Sequence, residues 1–345
     1  MQPELSLDLD VVVENARAWR AFAGVPVYAV LKGDGYGWGA GRLAHALENV
    51  AQAYCVSDAD ELAELRRYSQ KRAIVLGAVE PDRLAEVLRS NASPTVGSPV
   101  EFEVARSVLA QLGAPLRIRV GLRPAAGFSG LSLEELRGFA PGLVAAGAEV
   151  ELWSHVTDFE RRAEQTQDFL QAAAFMREIG VRLTGTDIAS TFALTAAGAQ
   201  GTAVRIGIGL FGATGGANVP GVRCALEVIA PVVRVERHSP GTRLGYGGTM
   251  LRMGETIATA RCGYADGLPK GLAGTDDILS VGMQYVTVRA SRLDSSDSGQ
   301  AGSQLVLLDR ASDLDLFASQ AGRLPHEIVT GFGNCARANG VSVKV

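Results

Sequence analysis

Between about residues 9 and 212, eight short apolar, β-rich runs alternate with helix-like stretches, and no other feature of the chain narrows its fold as far. The strand candidates are 27–32, 53–56, 73–76, 94–96, 116–120, 150–155, 182–186 and 204–208. Between them lie seven helix candidates, at 42–50, 58–68, 81–89, 99–112, 132–146, 161–179 and 192–197. Strands separated by helices pair in parallel, and eight such units count like a closed (β/α)8 barrel and not an open sheet. A further helix at 11–21 fills the slot before the first strand.

Beyond Gly212 the texture changes. A loop rich in Gly, Asn and Pro (213–221) leads into short β runs at 227–237, 255–261, 278–281, 285–290 and 304–308, with turns such as Ser239-Pro240-Gly241 between them. This pattern predicts a mainly β domain over residues 225–345 after a barrel over 1–224, with residues 1–8 available to pair with the second domain. Residues 291–303 read as a polar, low-complexity loop, and a helix at 314–321 precedes the last strands.

With 345 residues and 47% hydrophobic content, the chain can bury a core of that size. A net charge of −4 without a long basic run argues against a nucleic-acid or membrane surface. Cys55, Cys224, Cys262 and Cys335 form no C-x-x-C pair, so they read as reduced thiols of a cytoplasmic protein with no zinc site. Residues 1–9 lack a basic head and an apolar signal stretch, and no apolar run reaches membrane-spanning length.

In a barrel of this kind the chemistry lies at the C-terminal ends of the strands. There the first strand delivers Lys32 into a turn holding Gly33, Gly35, Tyr36, Gly37 and Gly39. Glycines let a ligand approach the backbone, and an amine partly desolvated by an apolar strand is available for a Schiff base. The plain alternative is a surface lysine after an edge strand. His155 also ends a strand, Ser190 follows one closely and Arg205 lies within the last. Singly, these residues read as a structural histidine, a helix cap and a strand cation. The segment from Arg205 through Gly207, Ile208 and Gly209 to Gly212 pairs a basic side chain with glycine-rich backbone. That suits a phosphate, or else it is only a softened strand. A lysine after an early strand and a phosphate loop after a late one is the layout of a pyridoxal phosphate site.

Over nearly its whole length the chain resembles the alanine racemase family of pyridoxal phosphate enzymes of fold type III. The Lys32 to Gly39 run resembles the family's cofactor-lysine motif, and Arg205 to Gly212 its second signature. Leu244-Gly245-Tyr246-Gly247-Gly248-Thr249 resembles the segment with the second catalytic base, and Gly263-Tyr264-Ala265-Asp266-Gly267 matches a further motif. The resemblance implies a homodimeric racemase that interconverts L- and D-amino acids with two bases. Lys32 would carry the cofactor and serve as one base, and Tyr246 of the partner subunit would be the other. Tyr36, Ser190, Gly207 and Ile208 would hold the phosphate, His155 would lie by the pyridine ring and Arg205 would face its nitrogen. Met283, also from the partner, would lie near the substrate carboxylate.

Several positions depart from the family pattern. The family has a lysine and then an arginine just before a Gly-Phe step, and that arginine reaches the cofactor and the substrate carboxylate. Here Ala125 and Ala126 precede Gly127-Phe128, which leaves Arg123 or Arg119 as shifted substitutes. Gln284 follows Met283 in place of an acid, His326 stands near the position of a phosphate-contacting tyrosine, and Trp38 replaces a histidine. An intact base pair inside an altered substrate shell implies a racemase whose preferred amino acid differs from alanine. The alternatives are a decarboxylase or aldolase of the same fold type, disfavoured by Arg205 at the ring nitrogen, and a non-catalytic pyridoxal phosphate-binding protein.

Overall fold

The computed structural model describes residues 2–124, 130–245, 249–251, 253–275, 277–293 and 301–338. An edge strand β1 (Glu4–Leu7) precedes eight parallel strands: β2 (Val27–Val30), β3 (Ala53–Val56), β4 (Ala73–Val75), β5 (Ala92–Val96), β6 (Arg117–Gly121), β7 (Glu149–Trp153), β8 (Arg182–Asp187) and β9 (Val204–Ile206). Their order is β8-β7-β6-β5-β4-β3-β2-β9. The remaining seam between β8 and β9 is closed by a bridge between Ser190 and Arg205, with the Arg205 N–H donating to Ala189 O at 2.9 Å. The (β/α)8 barrel expected from the alternation is therefore present.

The second region is built on β10 (Leu226–His238), β11 (Arg243–Leu244), β12 (Thr249–Met250), β13 (Glu255–Ala260), β14 (Ile278–Val281), β15 (Val286–Arg289) and β16 (Gln304–Leu308). Its main sheet runs β1-β10-β13-β15-β14, with β16 also on β10. The N-terminal strand thus pairs antiparallel with β10, Glu4 opposite Ile229 and Leu7 opposite Leu226.

Between them, helix Leu9–Ala23 starts at Asp8, whose carboxylate accepts from the Val11 N–H, and ends at Gly24 in the left-handed region. Its buried face fixes the turn after β9. Trp19 Nε1 donates to Gly209 O at 2.9 Å, and Asn15 Nδ2 donates to Leu210 O at 3.0 Å and Arg223 O at 2.8 Å.

In place of the strands expected after residue 321, helix Leu314–Gln320 is followed by a second helix, Pro325–Ala338. Pro325 sits at its first position, where no N–H is required, and Ile328, Val329, Phe332 and Ala336 form its buried face. Gly331 and Gly333 lower its helix propensity and hide it in the sequence. Gly333 has a packing reason, because a Cβ there would meet Tyr36 O at 2.6 Å and the Trp38 ring at 2.8 Å. This helix lies directly on the lysine turn. Trp38 Nε1 donates to Val329 O at 3.0 Å, and Arg337 Nη1 donates to Asp34 Oδ2 at 2.6 Å.

Candidate active site

The lysine turn is a short left-handed coil. Gly33, Asp34, Gly35, Tyr36 and Gly37 have φ of 65, 50, 63, 58 and 84°. Left-handed backbone costs an L-residue about 1–2 kcal/mol, so Asp34 and Tyr36 are strained and the glycines between them are not. Several bonds hold the coil. The Gly37 N–H donates to Gly33 O at 2.8 Å, the Gly39 N–H to Asp34 O at 2.9 Å and the Ala40 N–H to the Asp34 carboxylate at 2.8 Å. Glu61 bridges it to the exit of β3 by accepting from the Gly33 N–H at 2.6 Å and the Ser57 N–H at 2.7 Å. The coil turns Tyr36 inward while Lys32 stays at the mouth. Lys32 is exposed in the single chain, which corrects the expectation that the apolar strand behind it would partly desolvate it.

Beneath Lys32 lies a cavity of about 420 Å³, within the usual range for small-molecule sites. Lys32, Tyr36, His155, Ser190, Arg205, Gly207, Ile208 and His326 all line it. The strand expected to run to Ile208 ends at Ile206, and at Gly207 the chain enters a single 3₁₀ turn, Ile208–Phe211. A Cβ at Gly207 would collide with the Tyr36 hydroxyl, so only glycine lets the backbone and that hydroxyl share one end of the cavity. Ser190 holds the N-cap position of helix Thr191–Ala197, yet its hydroxyl makes no capping bond. Thr191 also lines this end and was missed in the sequence, where a threonine at a helix start has an ordinary reading. Burial raises the Tyr36 pKa, so the phenol stays a neutral donor. His326 reaches in from the C-terminal helix, 6.1 Å from the Tyr36 ring and 5.9 Å from Phe192. Its Nδ1 is buried without a hydrogen-bond partner, and burial followed by the Lys32 charge lowers its pKa.

Arg205 also lines the cavity and is 4% exposed. Its Nη2 donates to Ser154 O at 2.5 Å and Ile188 O at 3.3 Å, and lies 3.5 Å from His155 Nδ1. Its Nη1 forms an ion pair with Asp187. Burial and the Arg119 charge pull Arg205 down to about 9, still cationic at neutral pH. Burial, with Arg205, Lys32 and His326 adding to it, pushes His155 down to about 3, so its imidazole is neutral. Trp153 lines the cavity beside it, with Arg205 5.2 Å over its ring, and the buried Trp153 Nε1 also lacks a partner.

Three expected positions fall elsewhere. Arg123 does not enter the cavity, because its Nε donates to Gly130 O at 2.9 Å and its Nη2 to the Glu135 carboxylate at 2.9 Å. Arg119 lies in the barrel interior against Asp187 and Glu151. Met283 is 57% exposed on the β domain, next to the backbone of Tyr264 and Ala265. Tyr246, along with Ala125, Ala126, Gly127 and Phe128, lies outside the described residues. The preceding Gly245, just after β11, has φ 57°. Asp266 of the Gly263–Gly267 motif is structural. It accepts from the Gly263 N–H at 2.9 Å and from Arg261 at 2.6 Å.

A site with an amine at its mouth and with hydroxyls, glycine backbone and a buried arginine along its walls defines a barrel enzyme of the lysine-anchored cofactor class. The chain belongs to the alanine racemase family. The family's N-terminal domain matches residues 7–215 and its C-terminal domain residues 225–339. It is 26% identical to the alanine racemase of Streptococcus uberis over 360 aligned positions, covering 94% of each chain. With that of Cereibacter sphaeroides it shares 29% identity over 356 positions, covering 95% of each. The biosynthetic alanine racemase of Pseudomonas aeruginosa superposes with a TM-score of 0.82 at 23% identity, covering 96% of this chain and 97% of that one. The Bartonella henselae alanine racemase with covalently bound pyridoxal phosphate superposes with a TM-score of 0.80 at 21% identity, covering 97% and 98%.

Proposed function

We propose that this chain is a pyridoxal phosphate-dependent racemase that interconverts the enantiomers of an amino acid, with Lys32 as one base and the partner subunit's Tyr246 as the other. The observation that carries this reading is the convergence of Lys32, Tyr36, Ser190, Gly207, Arg205 and His155 on one cavity. The residues fit the cofactor by their own chemistry. The Tyr36–Gly207 cradle and the uncapped Ser190 hydroxyl suit a phosphate, and the unpartnered His326 Nδ1 adds a donor or acceptor there. Arg205 suits an aromatic ring nitrogen.

When bound, the cofactor withdraws electrons from the substrate Cα and acidifies its proton. The remaining work falls to the protein. Lys32, at the mouth, takes or returns that proton on one face. Tyr246 does so on the other, since inversion needs a base on each side. Arg205 only donates hydrogen bonds and keeps its own proton, so it disfavours protonation of a ring nitrogen. That restraint favours proton exchange over reactions that need a stronger electron sink.

The reading includes a homodimer. Met283 is not among the described residues that line the Lys32 cavity, while Met283, Tyr264 and Tyr285 leave 57, 44 and 46% of their surfaces exposed on the β domain. A partner that brings Tyr246 and Met283 to the mouth would cover Lys32 as well. Met283 would then approach the substrate carboxylate. The proposed compartment is the cytoplasm, in keeping with four unpaired thiols. Among the described residues no helix is long and apolar enough to cross a membrane. The preferred substrate is proposed to differ from alanine, because Arg123 is engaged by Glu135 and leaves the usual carboxylate contact unfilled. Racemisation rates across a panel of amino acids test this. Faster turnover of another amino acid than of alanine supports it, and alanine as the best substrate overturns it.

A further inference from the structure

Behind the cavity, five charged side chains form a ladder inside the barrel. Arg72 pairs with Glu151 at 2.6 Å, Glu151 with Arg119 at 3.2 Å and Arg119 with Asp187 at 2.7 Å, and Asp187 pairs with Arg205. Arg119 is 0% exposed and Asp187 2%. A buried charge survives only when paired and hydrogen-bonded. Asp187 meets that condition from both sides. One carboxylate takes two hydrogen bonds from Arg119, at 2.7 and 3.2 Å, and the ion pair with Arg205. Its backbone carbonyl lies 3.4 Å from the same Arg205 guanidinium.

We infer that Asp187 is a positioning residue for the cofactor: clamped between Arg119 and Arg205, it fixes the Arg205 guanidinium and sets the positive charge presented to the cofactor's ring nitrogen. The inference rests on the pyridoxal phosphate reading of the cavity. Three of Arg205's contacts are backbone carbonyls, which fix a direction but carry no net charge. Asp187 is the carboxylate in direct contact, so it decides how much of the arginine's charge reaches the cavity. Arg119 acts in the opposite sense, as a second cation behind the carboxylate. The other titratable groups around Arg205 are Tyr28, Cys55 and His155, with Lys32 and His326 across the cavity. None of these is an anion at neutral pH, because burial raises Tyr28 and Cys55 and lowers His155.

The test uses wild-type protein, Asp187→Asn and Arg119→Met, each loaded with pyridoxal phosphate. The pH midpoint of the bound cofactor's absorbance is then read. Asp187→Asn removes a negative charge, so cationic forms of the cofactor become less favourable and the midpoint falls by about one pH unit. Arg119→Met removes a positive charge, so the midpoint rises. Asp187→Asn also weakens cofactor binding at least about tenfold, since Arg205 is then held by backbone carbonyls without its carboxylate clamp. A merely structural Asp187 would lower the melting temperature of both variants and move neither midpoint, and that result overturns the inference. Should Asp187→Asn fail to fold, the rise in Arg119→Met decides alone. Wild-type protein that takes up no pyridoxal phosphate overturns the functional reading instead. The ladder is then judged in cofactor-free protein by the proton NMR titration of His155, 3.5 Å from Arg205, which the two variants shift in opposite directions.

Discussion

The two walls of the barrel interior are built on opposite principles. On β2, β3 and β4 the inward set is Tyr28, Val30, Ala53, Cys55 and Ile74, packed with Ala203 and Leu76. On β6 to β9 it is Arg119, Glu151, Asp187 and Arg205. Apart from the Tyr28 hydroxyl, which Arg72 meets, the apolar wall needs no polar partners. It delivers Lys32 at its rim and contributes burial, about 25 cal/mol per Å² of apolar surface removed from water. Each charge on the polar wall requires a partner, and the wall holds a guanidinium that water would otherwise claim. Glu151 shows the balance: burial alone would raise its pKa, yet Arg72 and Arg119 hold it below the usual carboxylate range. The apolar wall sets where the amine stands, and the polar wall sets the charge it faces.

This contrast can be broken by substitution. Asp187→Ala leaves the buried Arg205 without a carboxylate partner and Arg119 with Glu151 alone, and is expected to cost about 3–5 kcal/mol of stability. Ile74→Val on the apolar wall is expected to cost about 0.5–1.5 kcal/mol. Denaturant unfolding of the two variants checks the pair, and equal costs would mean that the ladder carries no special penalty. Gly207→Ala, at the top of β9, should weaken pyridoxal phosphate binding at least about tenfold, because the new methyl collides with the Tyr36 hydroxyl. Equilibrium titration with the cofactor measures it.

His155 sharpens the electrostatic side. Its pKa is about 3 in the folded chain against 6.5 for an ordinary histidine. Between those values the unfolded state binds more protons, so stability falls as pH drops from about 6.5 toward 3. His155→Gln should flatten that slope, most clearly between pH 6.5 and 5, before the carboxylates titrate. Unfolding free energies across that range check it. Trp38→Phe removes the bond to Val329 O and is expected to cost about 1 kcal/mol in denaturant unfolding.

Much of this was legible in the sequence for a physical reason. A parallel strand buried on both faces must be apolar and short, so eight such runs separated by helices announce a barrel, and residues at their C-terminal ends announce its mouth. Lys32, His155, Ser190 and Arg205 were found that way, and they do line one cavity. The ladder was not legible. Arg119 and Asp187 are 68 residues apart and meet only through the barrel register, so Arg119 read as a substitute ligand for substrate and not as a partner of Asp187. The C-terminal helix was hidden by Gly331 and Gly333, the second of which is there for close packing on the lysine turn, and Thr191 by the commonness of threonine at helix starts. The exposure of Lys32 could not be read from its strand, because the left-handed coil after it, and not the strand, sets where the side chain emerges.

The most direct measurement is Cα–H exchange in heavy water, with protein loaded with pyridoxal phosphate, across a panel of L- and D-amino acids, for wild type and Lys32→Ala. The account predicts exchange with inversion for at least one amino acid from either enantiomer, and a fall of about a thousandfold or more in Lys32→Ala. Bound cofactor with no exchange from any amino acid, or undiminished exchange in Lys32→Ala, would contradict it.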